Sequence, residues 1–243
     1  MTVFDQEKLR ERYSNKTAIV TGGASGIGLA ISRKLSALDI LTYILDRNEP
    51  EEKIENTRFI KTDITYPGDI KSAHHQIQSD NQTPDILVNN AGVGIHQKLS
   101  EGDPDKWAMV FETNVLGMLR FIRLFLPAMA ERKSGDILFI SSVSASRTYQ
   151  WGGIYAASKA ALETVAETLR LETQPELRVS TIVAGVVNTP FFDKIIDGVQ
   201  TPESIGWGAL SAEDIANAVM YVISQPVGVA VNNLVIRPSA QPM

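Results

Sequence analysis

The sequence contains no cysteine, only three histidines and no cluster of basic residues. Without cysteine, its 243 residues form no disulfides and offer no thiolate ligands to a metal ion. His74 and His75 are adjacent on a predicted helix and point in different directions, and His96 stands apart from them. The sequence therefore predicts no metal site and disfavours a zinc-dependent mechanism.

Strong charge of one sign and long apolar runs are also missing. A net charge of −5 without a basic block argues against general affinity for nucleic acid. The best apolar run, 116–130, is interrupted by Arg120 and Arg123, so no membrane partner is expected. The first sixteen residues are polar and mixed in charge, unlike a signal or transit peptide. We expect a cytoplasmic protein.

What the chain does have is an alternation of short apolar runs and helical patterns. The predicted strands are 17–21, 40–45, 58–61, 85–88, 137–140, 179–183 and 234–236, and predicted helices include 67–79, 104–132, 211–224 and one around Tyr155. This alternation predicts an α/β fold: a single Rossmann-like, doubly wound parallel β-sheet with helices on both faces. No linker-like segment appears, so 1–243 is expected to be one domain, with an N-terminal arm or helix at 1–15.

Glycines cluster where the first predicted strand meets the first helix. Gly22, Gly26 and Gly28 permit a tight turn, close approach of a phosphate to the backbone and close helix packing. The N-terminus of the helix then offers N–H groups to a pyrophosphate. Asp46 closes the second strand, where a carboxylate can bind the ribose hydroxyls of NAD. A plain turn and a surface acid would explain each feature alone, but together they predict a dinucleotide site.

Tyr155 and Lys159 are four residues apart in a run of helix formers, so they share a helix face. Lowering the pKa of a tyrosine by about three units requires about 4 kcal/mol. An ammonium about 4 Å away supplies roughly that amount at an effective dielectric constant of about 20. Ser142, at the end of an apolar strand, could hydrogen-bond a substrate oxygen. The spacing also occurs by chance, but with the glycine loop it predicts a general acid–base pair.

Three further motifs accompany these residues. Asn90, Ala91 and Gly92 complete an Asn-Asn-Ala-Gly sequence after the fourth strand, Asn114 lies on the long helix, and Gly185, Val187 and Thr189 follow the sixth strand. With them the chain resembles the short-chain dehydrogenase/reductase family, in its short single-domain branch, from about Thr17 to Ile236. The one departure within these motifs is Ala184, where the family has proline. We expect this change to have little effect on the site, because no hydrogen-bond donor is lost.

The resemblance implies a role for each matching position. Tyr155 would be the acid–base, Lys159 would lower its pKa and bind the nicotinamide ribose, Ser142 would orient the substrate oxygen, and Asn114 would hold a water in a proton relay. The remaining cofactor residues would be Gly22, Ser25, Gly26, Ile27, Gly28, Asp46, Arg47, Asp63, Ile64, Asn90, Ala91, Gly92, Val187 and Thr189. The chain would thus interconvert a secondary alcohol and a ketone or aldehyde by metal-free hydride transfer.

The choice between NAD and NADP depends on charge at the ribose. Asp46 repels a 2′-phosphate, and Ser25 stands where many NADP-linked relatives carry a cation, so NAD is predicted. Arg47 could reach a phosphate if Asp46 turned away, which keeps NADP possible. The tail 232–238 lacks the usual glycine pair. It resembles the branch containing dehydrogenases of small 3-hydroxy acids and hydroxy-amino acids, often NADP-linked.

Aromatic residues near the predicted cleft favour a modest, mostly apolar alcohol or ketone. Trp151, Phe191 and Phe192 are candidate substrate contacts, and 190–210 is a candidate lid whose glycines permit hinging. Arg147 is a candidate for binding a substrate carboxylate, although a surface role also explains it. The rival hypotheses are a non-catalytic protein that senses nicotinamide nucleotides and, less favoured, a dehydratase or epimerase. A homodimer or homotetramer, paired through the two long helices, is implied by the resemblance.

Overall fold

A seven-stranded parallel β-sheet forms the centre of the computed structural model, which describes residues 6–80 and 82–242. The strands are β1 (Thr17–Thr21), β2 (Leu41–Asp46), β3 (Thr57–Lys61), β4 (Ile86–Asn89), β5 (Asp136–Ser142), β6 (Arg178–Ala184) and β7 (Asn233–Ile236). Their spatial order is β3-β2-β1-β4-β5-β6-β7. The sheet is therefore wound outward in both directions from the β1–β4 pair, which confirms the predicted Rossmann-like fold.

Helices cover both faces of this sheet. They are α1 (Gln6–Tyr13), α2 (Gly26–Ser36), α3 (Pro67–Ser79), α4 (Pro104–Phe111), α5 (Met118–Arg132), α6 (Gly153–Thr173), α7 (Pro202–Ile205) and α8 (Ala212–Ser224). Successive strand residues point to opposite faces, so Val20 packs with α2 and α8 while Ile19 packs with α3, α5 and α6. Burial on both faces explains why the strands read as continuous apolar runs.

The helix predicted over 104–132 is divided in the structure. Between α4 and α5, residues Glu112–Gly117 form a π-helical segment. Asn114 lies in this segment, and its side chain bonds both the N–H and the C=O of Val93 across the cavity wall. Such π-helical turns within α-helices are frequent at functional sites. The sequence pattern missed this interruption because apolar spacing continues through it.

The helix α1 lies within the segment 1–15 that the sequence predicts to be an N-terminal arm or helix; Met1–Asp5 lie outside the described residues. Tyr13, at its end, donates a 2.9 Å hydrogen bond to Asp136 Oδ2 at the start of β5. Arg178 Nε, at the start of β6, donates to Asp136 Oδ1 at 2.7 Å. Burial raises the pKa of Asp136, and the Arg178 charge opposes that rise. None of the described helices combines the length and apolarity needed to cross a bilayer.

Candidate active site

One cavity of about 790 Å³ opens at the carboxyl ends of the central strands. This is where open α/β sheets bind their ligands, at the point where the winding direction reverses. Of the residues predicted to bind a cofactor, those that line this cavity are Gly22, Ser25, Gly26, Ile27, Asp46, Arg47, Asp63, Ile64, Asn90, Ala91, Gly92, Tyr155, Lys159, Val187 and Thr189. Ser142, Arg147, Phe191 and Phe192 line it as well. Gly28, Asn114 and Trp151 are predicted site residues that do not.

The glycine loop has the shape of a phosphate cradle. Gly22 and Gly26 have φ angles of +64° and +52°, in the left-handed region that favours glycine. Gly28 lies behind the loop, and a Cβ there would meet Gly22 O at 2.1 Å. Ser25 precedes α2 as its N-cap residue, but its side chain does not cap the helix. The first N–H groups of α2 therefore remain available to an anion in the cavity, which fits a diphosphate.

The loop is fastened to the end of β4. Asn90 Nδ2 donates to Thr21 O at 2.9 Å and to Gly22 O at 3.2 Å. In return, Thr21 Oγ1 accepts from Asn90 N at 3.0 Å and Ala91 N at 3.1 Å. These four bonds close the reversal point between β1 and β4. The Asn-Asn-Ala-Gly sequence therefore holds the glycine loop in position through these bonds.

Two carboxylates line the adenosine end that the resemblance implies. Asp46 accepts from Ala24 N at 3.1 Å and from Asn48 N at 3.2 Å, so its position at the end of β2 is fixed. Asp63 accepts from Thr65 N at 2.9 Å and Thr65 Oγ1 at 2.7 Å. Burial would raise the pKa of Asp63, but these bonds and the charge of Arg47 outweigh it and lower the pKa. Asp63 is therefore anionic near neutrality.

The structure brings Ser142, Tyr155 and Lys159 to the same wall of the cavity. Ser142 ends β5, and its hydroxyl donates to Ser144 Oγ at 3.1 Å. Lys159 lies one turn after Tyr155 on α6, and its Nζ is 6.0 Å from the centre of the Tyr155 ring. Lys159 Nζ also donates a 2.9 Å bond to Ile140 O on β5. That bond fixes the ammonium between the strand and the helix.

The titration of this pair differs from the expectation drawn from the sequence. Burial raises the pKa of Tyr155, Tyr149 raises it further, and only Ser142 lowers it. Burial lowers the pKa of Lys159 to about 8, while the Glu163 carboxylate opposes the change. The predicted lowering of the tyrosine pKa by the ammonium is therefore absent. The physical reason is desolvation, which disfavours the charged form of both groups.

Asn114 stands behind the wall and is fully buried. Its Oδ1 accepts from Val93 N at 2.8 Å, and its Nδ2 donates to Val93 O at 3.0 Å and Ser158 Oγ at 3.0 Å. A Cβ at Gly92 would lie 3.2 Å from Asn114 Oδ1 and 3.6 Å from Lys159 Nζ. Glycine at position 92 thus keeps space between the amide and the ammonium.

The predicted substrate residues separate into two groups. Phe191 packs on Tyr155 with ring centres 5.8 Å apart, and Phe192 and Arg147 line the same cavity. Trp151 instead lines a shallow depression beside the cavity and packs on the His96 ring at 5.4 Å. Its φ of +67° turns the backbone so that its carbonyl accepts from Gln97 N. Trp151 therefore does not line the cavity itself, and its role as a substrate contact stays a prediction.

Several residues of the candidate lid at 190–210 line the cavity, and the segment carries the short helix α7. Asp197 is its main anchor, accepting from Lys106 Nζ at 2.5 Å and Gln97 Nε2 at 2.9 Å. Ile196 N donates to Gly94 O at 2.9 Å. Nearer the glycine loop, Lys194 Nζ donates to Ser25 Oγ at 3.2 Å.

Gln241 is a cavity residue that sequence reasoning missed. It is 5% exposed, and its Oε1 accepts from Val186 N at 3.0 Å beneath the segment that leads to Val187 and Thr189. The tail 237–242 folds back so that Arg237 Nη1 donates to Gln241 O. No local pattern signals this contact, because its partners are 55 residues apart.

Comparison with known proteins gives consistent matches. A family model described as short chain dehydrogenase matches residues 16–200. An uncharacterized oxidoreductase of Staphylococcus saprophyticus is 31% identical over 238 residues, covering 92% of this chain and 97% of the relative. The closed form of a serine dehydrogenase complexed with NADP+ superposes with a TM-score of 0.87 at 26% identity, covering 93% of this chain and 96% of that one. An alcohol dehydrogenase of Thermococcus sibiricus, complexed with 5-hydroxy-NADP, gives a TM-score of 0.82 at 25% identity, covering 94% and 98%.

Proposed function

Because the chain belongs to the short-chain dehydrogenase family, we propose that it is an NAD(P)-dependent oxidoreductase that interconverts an alcohol and the corresponding carbonyl compound, which is a ketone where the alcohol is secondary. One observation carries this proposal: Ser142, Tyr155 and Lys159 share a single cavity with the glycine loop at the reversal point of the sheet. A sensor of nicotinamide nucleotides needs the loop but has no use for an acid–base group beside it. The solved relatives with bound NADP+ and 5-hydroxy-NADP support the cofactor class.

The residues that line the cavity support a separate region for each part of a dinucleotide. The free N–H groups at the start of α2 would bind the diphosphate. Asp46 would accept from ribose hydroxyls, and Asp63 and Ile64 would flank the adenine. Asn90, Ala91, Gly92, Val187 and Thr189 would line the path toward the nicotinamide. When bound, the nicotinamide supplies or accepts the hydride.

The protein's own residues would move the proton. In the direction of carbonyl reduction, Ser142 donates a hydrogen bond to the carbonyl oxygen, and Tyr155 gives its phenolic proton to that oxygen as charge develops there. The raised pKa of Tyr155 keeps this proton in place at neutral pH. Lys159, protonated below about pH 8, would stabilise the resulting phenolate. Asn114 acts as a positioning residue that fixes the wall behind Lys159.

The test is the change Tyr155→Phe. It removes one hydroxyl and leaves the ring against Phe191, so binding of NADH should be nearly unchanged. Turnover should fall by about 10²- to 10⁴-fold, the usual contribution of a general acid–base. Tyr66→Phe, at a tyrosine that is 63% exposed, is the matched control and should keep full activity. Near-normal turnover in Tyr155→Phe would refute the assignment. Failure of the normal protein on a broad panel of alcohols and ketones, with NADH still bound, would favour the sensor hypothesis.

For the cofactor we propose a preference for NAD over NADP. Two backbone N–H groups hold the Asp46 carboxylate in place, so turning it away to admit a 2′-phosphate would break both bonds. The solved relatives bind NADP derivatives, and Arg47 beside Asp46 is the residue that would serve a phosphate here. Measuring kcat/KM with each cofactor decides the matter. A strong preference for NADP in the normal protein would contradict the proposal, and Asp46→Ser should shift the ratio toward NADP.

A second candidate is a dehydrogenase of small 3-hydroxy acids or hydroxy-amino acids. Arg147 favours it, because this exposed cation lines the cavity close to Ser142 in sequence. The likeness to a serine dehydrogenase also supports it. Arg147→Ala should raise KM for hydroxy acids and leave KM for neutral alcohols unchanged, while Arg147→Lys should restore part of the loss. Unchanged kinetics on hydroxy acids would exclude a carboxylate contact.

We also propose that the chain associates as a homodimer or homotetramer through α4, α5 and α6. Large apolar side chains on these helices and on the π-helical segment between α4 and α5 face outward: Met109, Leu116, Leu119 and Leu171 are between 36% and 55% exposed. Gly117 does not contribute to this face, since a Cβ there would meet Ile64 O at 2.9 Å. Light scattering should give at least twice the chain mass of 26.6 kDa. A monomer would contradict the proposal.

A further inference from the structure

The glycine loop contains no cationic side chain. Residues 21–28 include no basic side chain, and the nearest charge attached to them is the Asp46 carboxylate on Ala24 N. In the described part of the chain, the arginine and lysine residues that line the cavity are Arg47, Arg147, Lys159 and Lys194. Of these, only Lys194 makes a hydrogen bond to the loop.

Lys194 reaches the loop from the far side of the cavity. It ends a short 3₁₀ turn, Phe192–Lys194, in the candidate lid. Its Nζ donates to Ser25 Oγ at 3.2 Å, across a separation of 169 residues. Ser25 is the N-cap residue of α2, so the ammonium stands beside the free N–H groups of that helix. A cation and a helix N-terminus on two sides of one space form a complementary site for a diphosphate.

We propose that Lys194 binds the diphosphate of the dinucleotide, exchanging its hydroxyl partner on Ser25 for a phosphate oxygen. The proposal rests on the cofactor assignment above and extends it to a residue outside the recognised motifs. The lid thus supplies the charge that the loop lacks. Asp197 holds the same segment through its bonds to Lys106 and Gln97. Lys194 bound to the diphosphate would therefore be a second contact that holds the lid, over the glycine loop.

Binding measurements on three variants test this. Lys194→Met removes the charge at similar length, Lys194→Arg keeps it, and Lys71→Met on α3 removes an exposed lysine that does not line the cavity. Titration calorimetry with NADH, NADPH and ADP-ribose gives Kd without turnover. Loss of a charged hydrogen bond should raise Kd about tenfold for all three ligands in Lys194→Met. Lys194→Arg should recover most of the affinity, and Lys71→Met should match the normal protein.

A second readout follows the lid. Chymotrypsin can cut at Phe191, Phe192 and Trp207, and ADP-ribose should protect these sites in the normal protein but much less in Lys194→Met. Because Lys194→Met also loses the bond to Ser25, protection is expressed relative to the cleavage rate of each protein without ligand. A loss confined to NADPH would place Lys194 at the 2′-phosphate and overturn the proposal, as would equal Kd values for Lys194→Met and the normal protein. If the normal protein bound none of the three ligands, the cofactor assignment itself would fail.

Discussion

Replacing Lys159 with methionine should stabilise the protein while removing its activity. The Lys159 side chain is only 5% exposed, and burial lowers its pKa from 10.5 to about 8. A charged group whose pKa falls on folding opposes folding at any pH where both states are protonated. Methionine has a similar length and carries no charge. The same desolvation that strains the fold at this position would serve the proposed chemistry.

The magnitude follows from the shift. About 2.5 pH units at 1.36 kcal/mol each amount to about 3 kcal/mol of penalty at pH 7. The variant loses the hydrogen bond from Lys159 Nζ to Ile140 O, and this loss reduces the gain in stability by about 1 kcal/mol. Lys159→Met should therefore be more stable than the normal protein by about 2 kcal/mol at pH 7. Both states of the normal protein are protonated there, so the penalty is fully present.

Urea unfolding between pH 7 and pH 10 provides the assay. Above pH 8 the folded state loses the proton while the unfolded state retains it, so the unfolded state binds more protons and the normal protein gains stability as pH rises. The advantage of Lys159→Met should shrink over that range. Lys71→Met, at an exposed lysine, should track the normal protein throughout. A variant that is less stable at pH 7, or an advantage that does not change with pH, would refute the reasoning.

Three further changes probe other parts of the molecule. Gly28→Ala places a Cβ 2.1 Å from Gly22 O. The affinity for the dinucleotide, measured by calorimetry, should therefore fall at least tenfold, or the protein should unfold at a lower urea concentration. Normal values for both would contradict the packing described. Arg178→Met leaves the buried Asp136 carboxylate without its cation and should cost about 3–5 kcal/mol in urea unfolding, a loss that Asp136→Asn in the same chain should partly reverse. Gln241→Ala removes the acceptor of Val186 N beneath the segment that carries Val187 and Thr189, so the Kd for NADH by calorimetry should rise several-fold, and an unchanged Kd would show that this contact does not support the cofactor site.

The sequence was a good guide wherever function depends on local spacing. Gly22, Gly26 and Gly28 could be placed because a turn between strand and helix needs those backbone angles within a few residues. Tyr155 and Lys159 share a face because a helix repeats every 3.6 residues. The parallel sheet covered on both faces followed from the alternation of elements and the known handedness of their connections.

What could not be predicted depends on distant contacts or on solvent exposure. Nothing near Gln241 in the chain marks its contact with Val186, 55 residues away. The candidate lid included Lys194, but its bond to Ser25 joins positions 169 residues apart and has no signal in the local sequence. The π-helical turn at Asn114 arises from its bonds to Val93, which only the folded sheet brings close. The pKa of Tyr155 was expected to fall because a neighbouring charge can be inferred from spacing, whereas desolvation depends on the whole fold.

The two ends of the cavity are built in different ways. Strand termini and the bonds between Thr21 and Asn90 form the coenzyme end, so a change there disturbs the sheet itself. The opposite end is made largely by two excursions of the chain, 143–151 and 190–210, each attached to the frame at a few points. Substitutions in these two segments can therefore change which substrate is accepted without altering the sheet. An effort to engineer new substrate selectivity would randomise 143–151 and 190–210 first.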